Sequence, residues 1–219
     1  MSTGTIAVPT TADDRRVSHR ATAILFASGG VLLAAGGQLH PRGSGDSLDA
    51  HLLSMFESPA WPLSHLLMLA GTVLSVLAFL SARRTEAFGP RVQRWLPAVA
   101  ACWAFGAAEL VPHLLAAGDA HALEHHEATP VLDVHLVMQL VAGPLVGLSG
   151  AVIAVVVHLA TRSWATAVLA GFAVVGGLLS AAAAPLVVLT GDPAFTLLFP
   201  FQAGLAVWLV GTGVRLLRR

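Results

Sequence analysis

Six long apolar runs constrain this chain more than any other feature of its sequence. They cover residues 21–40, 62–82, 95–117, 131–160, 164–190 and 195–216. About 20 helical residues cross a hydrocarbon core of about 30 Å, and helices satisfy their own backbone groups in lipid. The runs are continuous rather than short and alternating, which argues against a barrel. With 56% hydrophobic and 11% charged residues, the chain is predicted to be an all-α, polytopic integral membrane protein with six transmembrane helices.

The basic residues predict the orientation of these helices. All of them are arginines, and they fall before the first run, between the second and third, between the fourth and fifth, and after the sixth; Arg42 alone lies in the other loops. The positive-inside rule predicts that both termini are cytoplasmic, and we expect the membrane to be the cell (plasma) membrane. Trp61, Trp95 and Trp164 fall at the ends of runs, where an aromatic belt is expected.

Two stretches separated by seventy residues indicate an internal repeat. DAHLLSMFESPAWPLSHLLM (residues 49–68) and DAHALEHHEATPVLDVHLVM (residues 119–138) are identical at eight of twenty positions. In the predicted topology they occupy the outer loops of two successive hairpins that run in the same direction, as in parallel repeats. The third pair of runs keeps traces of the pattern, since PHLLAAGD (112–119) aligns with PLVVLTGD (185–192). We therefore expect three tandem hairpins.

The repeat also divides the chain. Residues 1–20 are polar and predicted to form a disordered cytoplasmic tail. Residues 21–160 are predicted to form a four-helix bundle of two hairpin repeats that carries a site. Residues 161–219 supply the third hairpin, which we interpret as scaffold because its predicted outer loop contains no histidine.

Histidines mark the candidate site. Four lie at the outer ends of the first four predicted helices, at similar depth: His40, His65, His113 and His135. Glu109 precedes His113 by four residues and so shares its helix face. A carboxylate inside a span usually faces a partner in the bundle interior. These five residues are the predicted metal ligands, and Glu109 is the only candidate for a catalytic group.

Further ligands could come from the loops and the adjacent helix faces. His51 and His121 occupy equivalent loop positions, and His121 and His125 are four residues apart, so one helix could offer both rings to one ion. Both loops are predicted to contain short helices that form a lid over the site. Met68 and Met138 each follow a helix histidine by three residues and so share its helix face. We interpret them as packing residues in preference to ligands, because methionine fills gaps well.

One segment carries a resemblance. HLVMQLVAGPLVGLSG (residues 135–150) resembles the His/Met helix of membrane proteins linked to copper delivery for respiratory oxidases. The resemblance covers sixteen residues, and it implies a membrane redox or metal-delivery partner beside the lipid bilayer itself.

Four functions remain compatible with these residues. The leading hypothesis is a copper or zinc site open to the outer face, used for metal handling or redox transfer. The same helices could hold haem b with His65 and His135 as axial ligands. A third hypothesis is a metal-dependent hydrolase with Glu109 as general base, and a fourth is a transporter or partner subunit with a histidine proton relay. The sequence contains no lysine, one cysteine and no basic surface beyond the topological arginines, so a retinal Schiff base, a cysteine-ligated zinc and nucleic-acid binding are not expected.

Overall fold

The computed structural model describes residues 12–218, and the side chains of residues 17–218. This part of the chain is helical and contains no strand. The α-helices are α1 (Ala12–Leu39), α2 (Leu48–Phe56), α3 (Trp61–Arg84), α4 (Pro90–Gln93), α5 (Leu96–Leu115), α6 (Ala120–Glu124), α7 (Pro130–Thr161), α8 (Trp164–Thr190) and α9 (Ala203–Leu217). Two 3₁₀ segments, Ala116–Asp119 and Pro193–Gln202, complete the order.

Six stretches of the described chain are long and apolar enough to cross a membrane, as the sequence predicts. They are Val17–Leu39, Trp61–Arg84, Leu96–Glu124, Pro130–Thr161, Trp164–Thr190 and Pro193–Leu217. Their outward faces carry many exposed aliphatic side chains, and such faces are stable against lipid rather than water.

The six spans form a closed ring in which chain order is also ring order. Each span packs on the next, and α9 packs back on α1. Neighbours run antiparallel: the hydroxyls of Thr22 near the start of α1 and Ser81 near the end of α3 are 2.7 Å apart, whereas Gly36 late in α1 lies against Met68 early in α3. The C-terminal ends of α1 and α5 and the N-terminal ends of α3 and α7 therefore lie on the same side of the ring.

Aromatic side chains fill the interior of the ring in the half that contains the N-terminal part of α1. Phe26 contacts Phe79 edge-to-face with ring centroids 5.4 Å apart, and Phe79 contacts Trp103 at 5.5 Å. Trp208 of α9 meets Phe26 at 6.2 Å. Side chains from four helices are thus interlocked, and such aromatic pairs add about 0.5–1.5 kcal/mol each beyond the area they bury.

Small residues let the helix backbones approach closely, as is usual where helices associate in lipid. A Cβ on Gly147 of α7 would collide with the carbonyl oxygen of Gly177 in α8, and a Cβ on Gly177 would collide with the carbonyl oxygen of Gly147. This reciprocal contact explains why glycine occupies both positions despite its poor helix propensity.

Two element boundaries differ from the sequence prediction. Helix α1 begins at Ala12, so residues 12–20 of the predicted disordered tail are helical; residues 1–11 lie outside the described residues. The sixth span starts as a 3₁₀ segment and becomes α-helical only at Ala203. Pro200 explains this, because proline lacks the N–H for the α-helical hydrogen bond and its ring clashes with the preceding turn.

The loop between α1 and α3 and the loop between α5 and α7 each contain a short helix, as predicted. The Ser47 hydroxyl accepts a hydrogen bond from the Ala50 N–H at 3.2 Å and begins α2. The Asp119 carboxylate accepts from the N–H groups of Val131 and Leu132 at 2.8 and 2.9 Å, which satisfies the first turn of α7. A buried apolar cluster joins α2 and α6 to the ends of α3, α5 and α7; it comprises Leu52, Met55, Phe56, Trp61, Ala116, Leu123 and Leu132.

The glycine contact between α7 and α8 is testable. Gly147→Ala should lower the free energy of unfolding by about 1–3 kcal/mol, because the added methyl group forces the two backbones apart. Gly171→Ala is the matched control, since a Cβ there meets nothing within 4 Å, and it should raise stability slightly through helix propensity. Thermal unfolding of the purified protein in detergent measures both, and equal midpoints would contradict the close-contact explanation.

Candidate metal centre

The four helix histidines lie side by side at one end of the ring. His40 follows the last residue of α1, and His65, His113 and His135 lie near the corresponding ends of α3, α5 and α7. Successive ring centroids are 4.8 Å apart from His40 to His65, 4.4 Å from His65 to His113 and 3.9 Å from His113 to His135. The imidazoles thus form a row that follows the order of the helices.

Two groups within this row could hold a metal ion. We call His40, His65 and His113 the imidazole triad, and Glu109, His113 and His135 the carboxylate triad; within each, the potential ligand atoms lie within 4.8 Å of one another. The five predicted ligands, which could hold one ion or two ions bridged by Glu109, fall into these two overlapping groups. His113 belongs to both.

Hydrogen bonds indicate the tautomers of two members of the imidazole triad, His40 and His65. His65 Nδ1 lies 2.7 Å from the backbone oxygen of Trp61, and His40 Nδ1 lies 2.9 Å from that of Pro41. A carbonyl oxygen only accepts, so each Nδ1 carries the hydrogen and each Nε2 keeps its lone pair. Metal-binding histidines are commonly oriented in this way. Burial also lowers the pKa of His40, which favours the neutral ring.

His65 has a buried nitrogen that the described protein does not satisfy. Its side chain is fully buried, and Nε2 has no hydrogen-bond partner among the described residues. A buried polar atom without a partner costs about 1–3 kcal/mol, and such atoms are uncommon in folded proteins. His65 belongs to the imidazole triad, and a cation bound there would satisfy this lone pair.

Trp61 supports His65 in a way that the sequence analysis missed. We expected Trp61 in the aromatic belt, but it is 2% exposed, whereas Trp95 and Trp164 are 41% and 82% exposed. Its ring lies 3.9 Å from the His65 ring, and its indole N–H donates to the Leu114 oxygen at 3.1 Å. The only signal in the sequence is its position one helical turn before His65.

Glu109 joins the two helices of the carboxylate triad. Its Oε1 accepts a hydrogen bond from His135 Nδ1 at 2.6 Å and lies 3.5 Å from His113 Nδ1. The first contact assigns the His135 hydrogen to Nδ1. The second does not meet the geometry of a hydrogen bond, so His113 Nδ1 is also buried without a partner in the described structure. The His113 and His135 rings stack at an interplanar angle of 26°.

The site is enclosed rather than open, which corrects the expectation of an open outer face. His65, Glu109, His135 and His113 are 0%, 5%, 4% and 8% exposed. The apolar cluster formed with α2 and α6 includes Trp61, whose ring lies against three of the site histidines. His40 is the partly exposed member. The predicted lid is consistent with this arrangement.

The other predicted ligands are placed differently. His51 is buried against Gly43 and lies outside the groups formed by the described residues. Met68 packs against Gly36, and Met138 is half-buried on α7. His121 and His125 form a separate, exposed group with Glu124. The loop histidines therefore do not extend the buried row.

Comparisons with protein-family models, curated proteins and solved structures give no match to this chain. The fold and the site define only a broad class: a helical protein with six membrane-span-like helices and buried His/Glu groups that could hold a metal.

The Glu109–His135 contact predicts a difference between two substitutions at one position. Glu109→Leu removes the acceptor and leaves the buried His135 N–H unsatisfied, which should cost about 1–3 kcal/mol of stability. Glu109→Gln retains an acceptor oxygen and should cost less. Thermal unfolding in detergent with a chelator present isolates this effect from metal binding. Identical midpoints for the two variants would show that the hydrogen bond contributes nothing measurable.

Proposed function

We propose that this chain is a multi-pass cell-membrane protein that binds copper or zinc at its His/Glu site and handles the ion or passes electrons through it. The observation that carries the proposal is the imidazole triad. His40 and His65 both direct their N–H toward backbone oxygens, and the remaining nitrogen of His65 is buried without a partner among the described residues. Imidazole is a preferred ligand of both metals.

The ligand number also favours an ion. Three imidazoles with an open fourth position are a known arrangement for zinc, and copper accepts the same donors. A histidine ligand must be a ring with a free lone pair, and His40 and His65 each direct the Nδ1 hydrogen to a backbone oxygen. The protein would therefore present lone pairs without first having to remove protons from a charged cluster.

The geometry favours direct ion binding over haem b. Haem would need His65 and His135 on opposite faces of a porphyrin. The His113 ring lies between them, 4.4 Å from one ring and 3.9 Å from the other. A porphyrin in that position would have to displace His113 and separate α3, α5 and α7.

The two remaining hypotheses find less support. A hydrolase would need Glu109 free to take a proton from bound water, whereas Glu109 already accepts the His135 N–H at 2.6 Å. A proton relay needs a continuous chain of hydrogen bonds. Among the described residues, His65 Nε2 and His113 Nδ1 have no hydrogen-bond partner, so these side chains alone do not form such a chain.

The proposed orientation places the site near the extracytoplasmic surface. The antiparallel ring puts Arg20, Arg84, Arg94 and Arg162 at the end opposite the histidine row. The positive-inside rule assigns that end, and both termini, to the cytoplasm. A metal-delivery or redox partner would then meet the protein on the outer side of the cell membrane.

Metal content tests the proposed function. We expect the protein, purified in detergent and loaded with zinc or copper, to retain metal after desalting, and His113→Ala to lose it, because His113 belongs to both triads. His126→Asn is the matched control: His126 is exposed and has a backbone φ of 57°, which asparagine tolerates. Elemental analysis gives the metal-to-protein ratio.

Equal metal content in the wild type and His113→Ala would reject the site. An optical spectrum of the protein as isolated provides an independent check. A Soret band that disappears in both His65→Ala and His135→Ala would establish haem binding in place of direct ion ligation.

Thiol labelling tests the orientation. In a Cys102→Ala background, Ser44→Cys at the histidine end should react with a membrane-impermeant maleimide on intact cells. Arg218→Cys at the opposite end should react only after the cells are opened. Both positions are exposed, so access is set by the membrane. The reverse labelling pattern would invert the topology without affecting the metal proposal.

A further inference from the structure

We propose that the two triads are alternative positions for one ion, and that the ion moves between them while His113 stays bound. This inference rests on the proposed function, since it requires that the site binds a metal. It assigns the ion the role of cargo within the protein. The supporting features are the shared histidine, the difference in burial and the charge of each triad.

The shared histidine limits how many ions can bind. A neutral imidazole has one nitrogen with a lone pair, and His113 belongs to both triads. Filling both positions together would require His113 to lose its second hydrogen and bridge the ions. One ion at a time needs no such step, because each position then uses a neutral His113.

The charge of the site leads to the same limit. Two divalent ions would bring four positive charges into a region whose candidate ligands include one carboxylate, that of Glu109. Uncompensated charge is costly in a buried environment. At the carboxylate triad, the negative charge of Glu109 offsets part of the positive charge of one ion. The imidazole triad offers no such charge, so the carboxylate triad stabilises the ion in a way that the first position does not.

Burial gives the two positions an order. His40, at the edge of the imidazole triad, is half-buried and follows the end of α1. Glu109 and His135, at the other side of His113, are 5% and 4% exposed. The ion therefore enters at the imidazole triad and passes to the carboxylate triad.

Exchange of ligands around His113 keeps the ion coordinated throughout. His40 and His65 leave as Glu109 and the Nε2 lone pair of His135 bind, so that the Nδ1 hydrogen of His135 stays in its bond to Glu109, and the His113 and His135 rings are already stacked at 3.9 Å. A bare ion would pay a large desolvation penalty among these apolar helices. A retained ligand avoids that intermediate.

Cobalt(II) provides the probe, because its visible spectrum reports the ligand set. The full chain carrying His121→Asn, which removes a ligand of the separate exposed group, is stripped of metal in detergent and titrated with cobalt(II) alone, and every variant is made in this background. We expect saturation at one ion per chain. His40→Ala should still bind one ion, with the spectrum of the carboxylate triad, and Glu109→Gln should bind one ion with a different spectrum, that of the imidazole triad.

His113→Ala should weaken binding at both positions, by at least about 100-fold, the upper end of the effect of removing an outer-shell partner. His126→Asn should match the wild type in stoichiometry and spectrum. If His113→Ala does not yield a monodisperse protein, His113→Gln replaces it with a polar side chain and tests the same loss.

The outcomes separate this inference from the proposed function. Two cobalt ions per chain would overturn the inference and leave metal binding intact. So would one ion whose spectrum is unchanged by Glu109→Gln and whose binding is abolished by His40→Ala, because that describes one fixed site. Equal cobalt binding by the wild type and His113→Ala, or no binding by either, would overturn both proposals.

Discussion

The hydrogen bond between Glu109 and His135 is the interaction on which the site depends. A carboxylate within an apolar span needs a partner, and this one finds it on another helix at 2.6 Å. The bond fixes the distance between α5 and α7, assigns the His135 hydrogen to Nδ1 and holds the His135 ring against His113. The two-position proposal uses this arrangement, because Glu109 and His135 belong to the carboxylate triad. Without Glu109, the row would contain four imidazoles and no carboxylate to compensate the charge of a cation.

Packing at the opposite end of the ring makes this arrangement possible. The aromatic contacts among Phe26, Phe79, Trp103 and Trp208 fill the interior there, and glycine contacts bring α7 close to α8. Because protein interiors are closely packed and transmit strain, contacts at one end of a helix restrict where its other end lies. The histidine end is closed differently, by short helices between the spans. Trp61 belongs to that closure and also accepts the His65 N–H, so burial of the site and orientation of a ligand depend on one residue.

Local rules account for most of what could be predicted about the fold. The six spans follow from the length and continuity of the apolar runs, and Ser47 begins α2 because its hydroxyl can accept from the first turn. The sixth span shows the limit: its apolar composition predicts a helix, whereas Pro200 delays the α-helix until Ala203. The aromatic belt shows another, since Trp61 has the position of a belt residue but faces the interior. Position along a span does not specify which way a side chain points.

The sequence by itself determined the spans, the common end of the four helix histidines and the depth of Glu109 near His113, because helical rise and period are local properties of the chain. Only the tertiary structure decided that Glu109 bonds to His135, that His113 is shared, that the rings form a row and that the site is enclosed. Those features depend on the rotation of each helix and the order of helices around the ring. Both are set by packing between residues far apart in the chain, such as Gly147 with Gly177, and no periodic pattern within one helix encodes them.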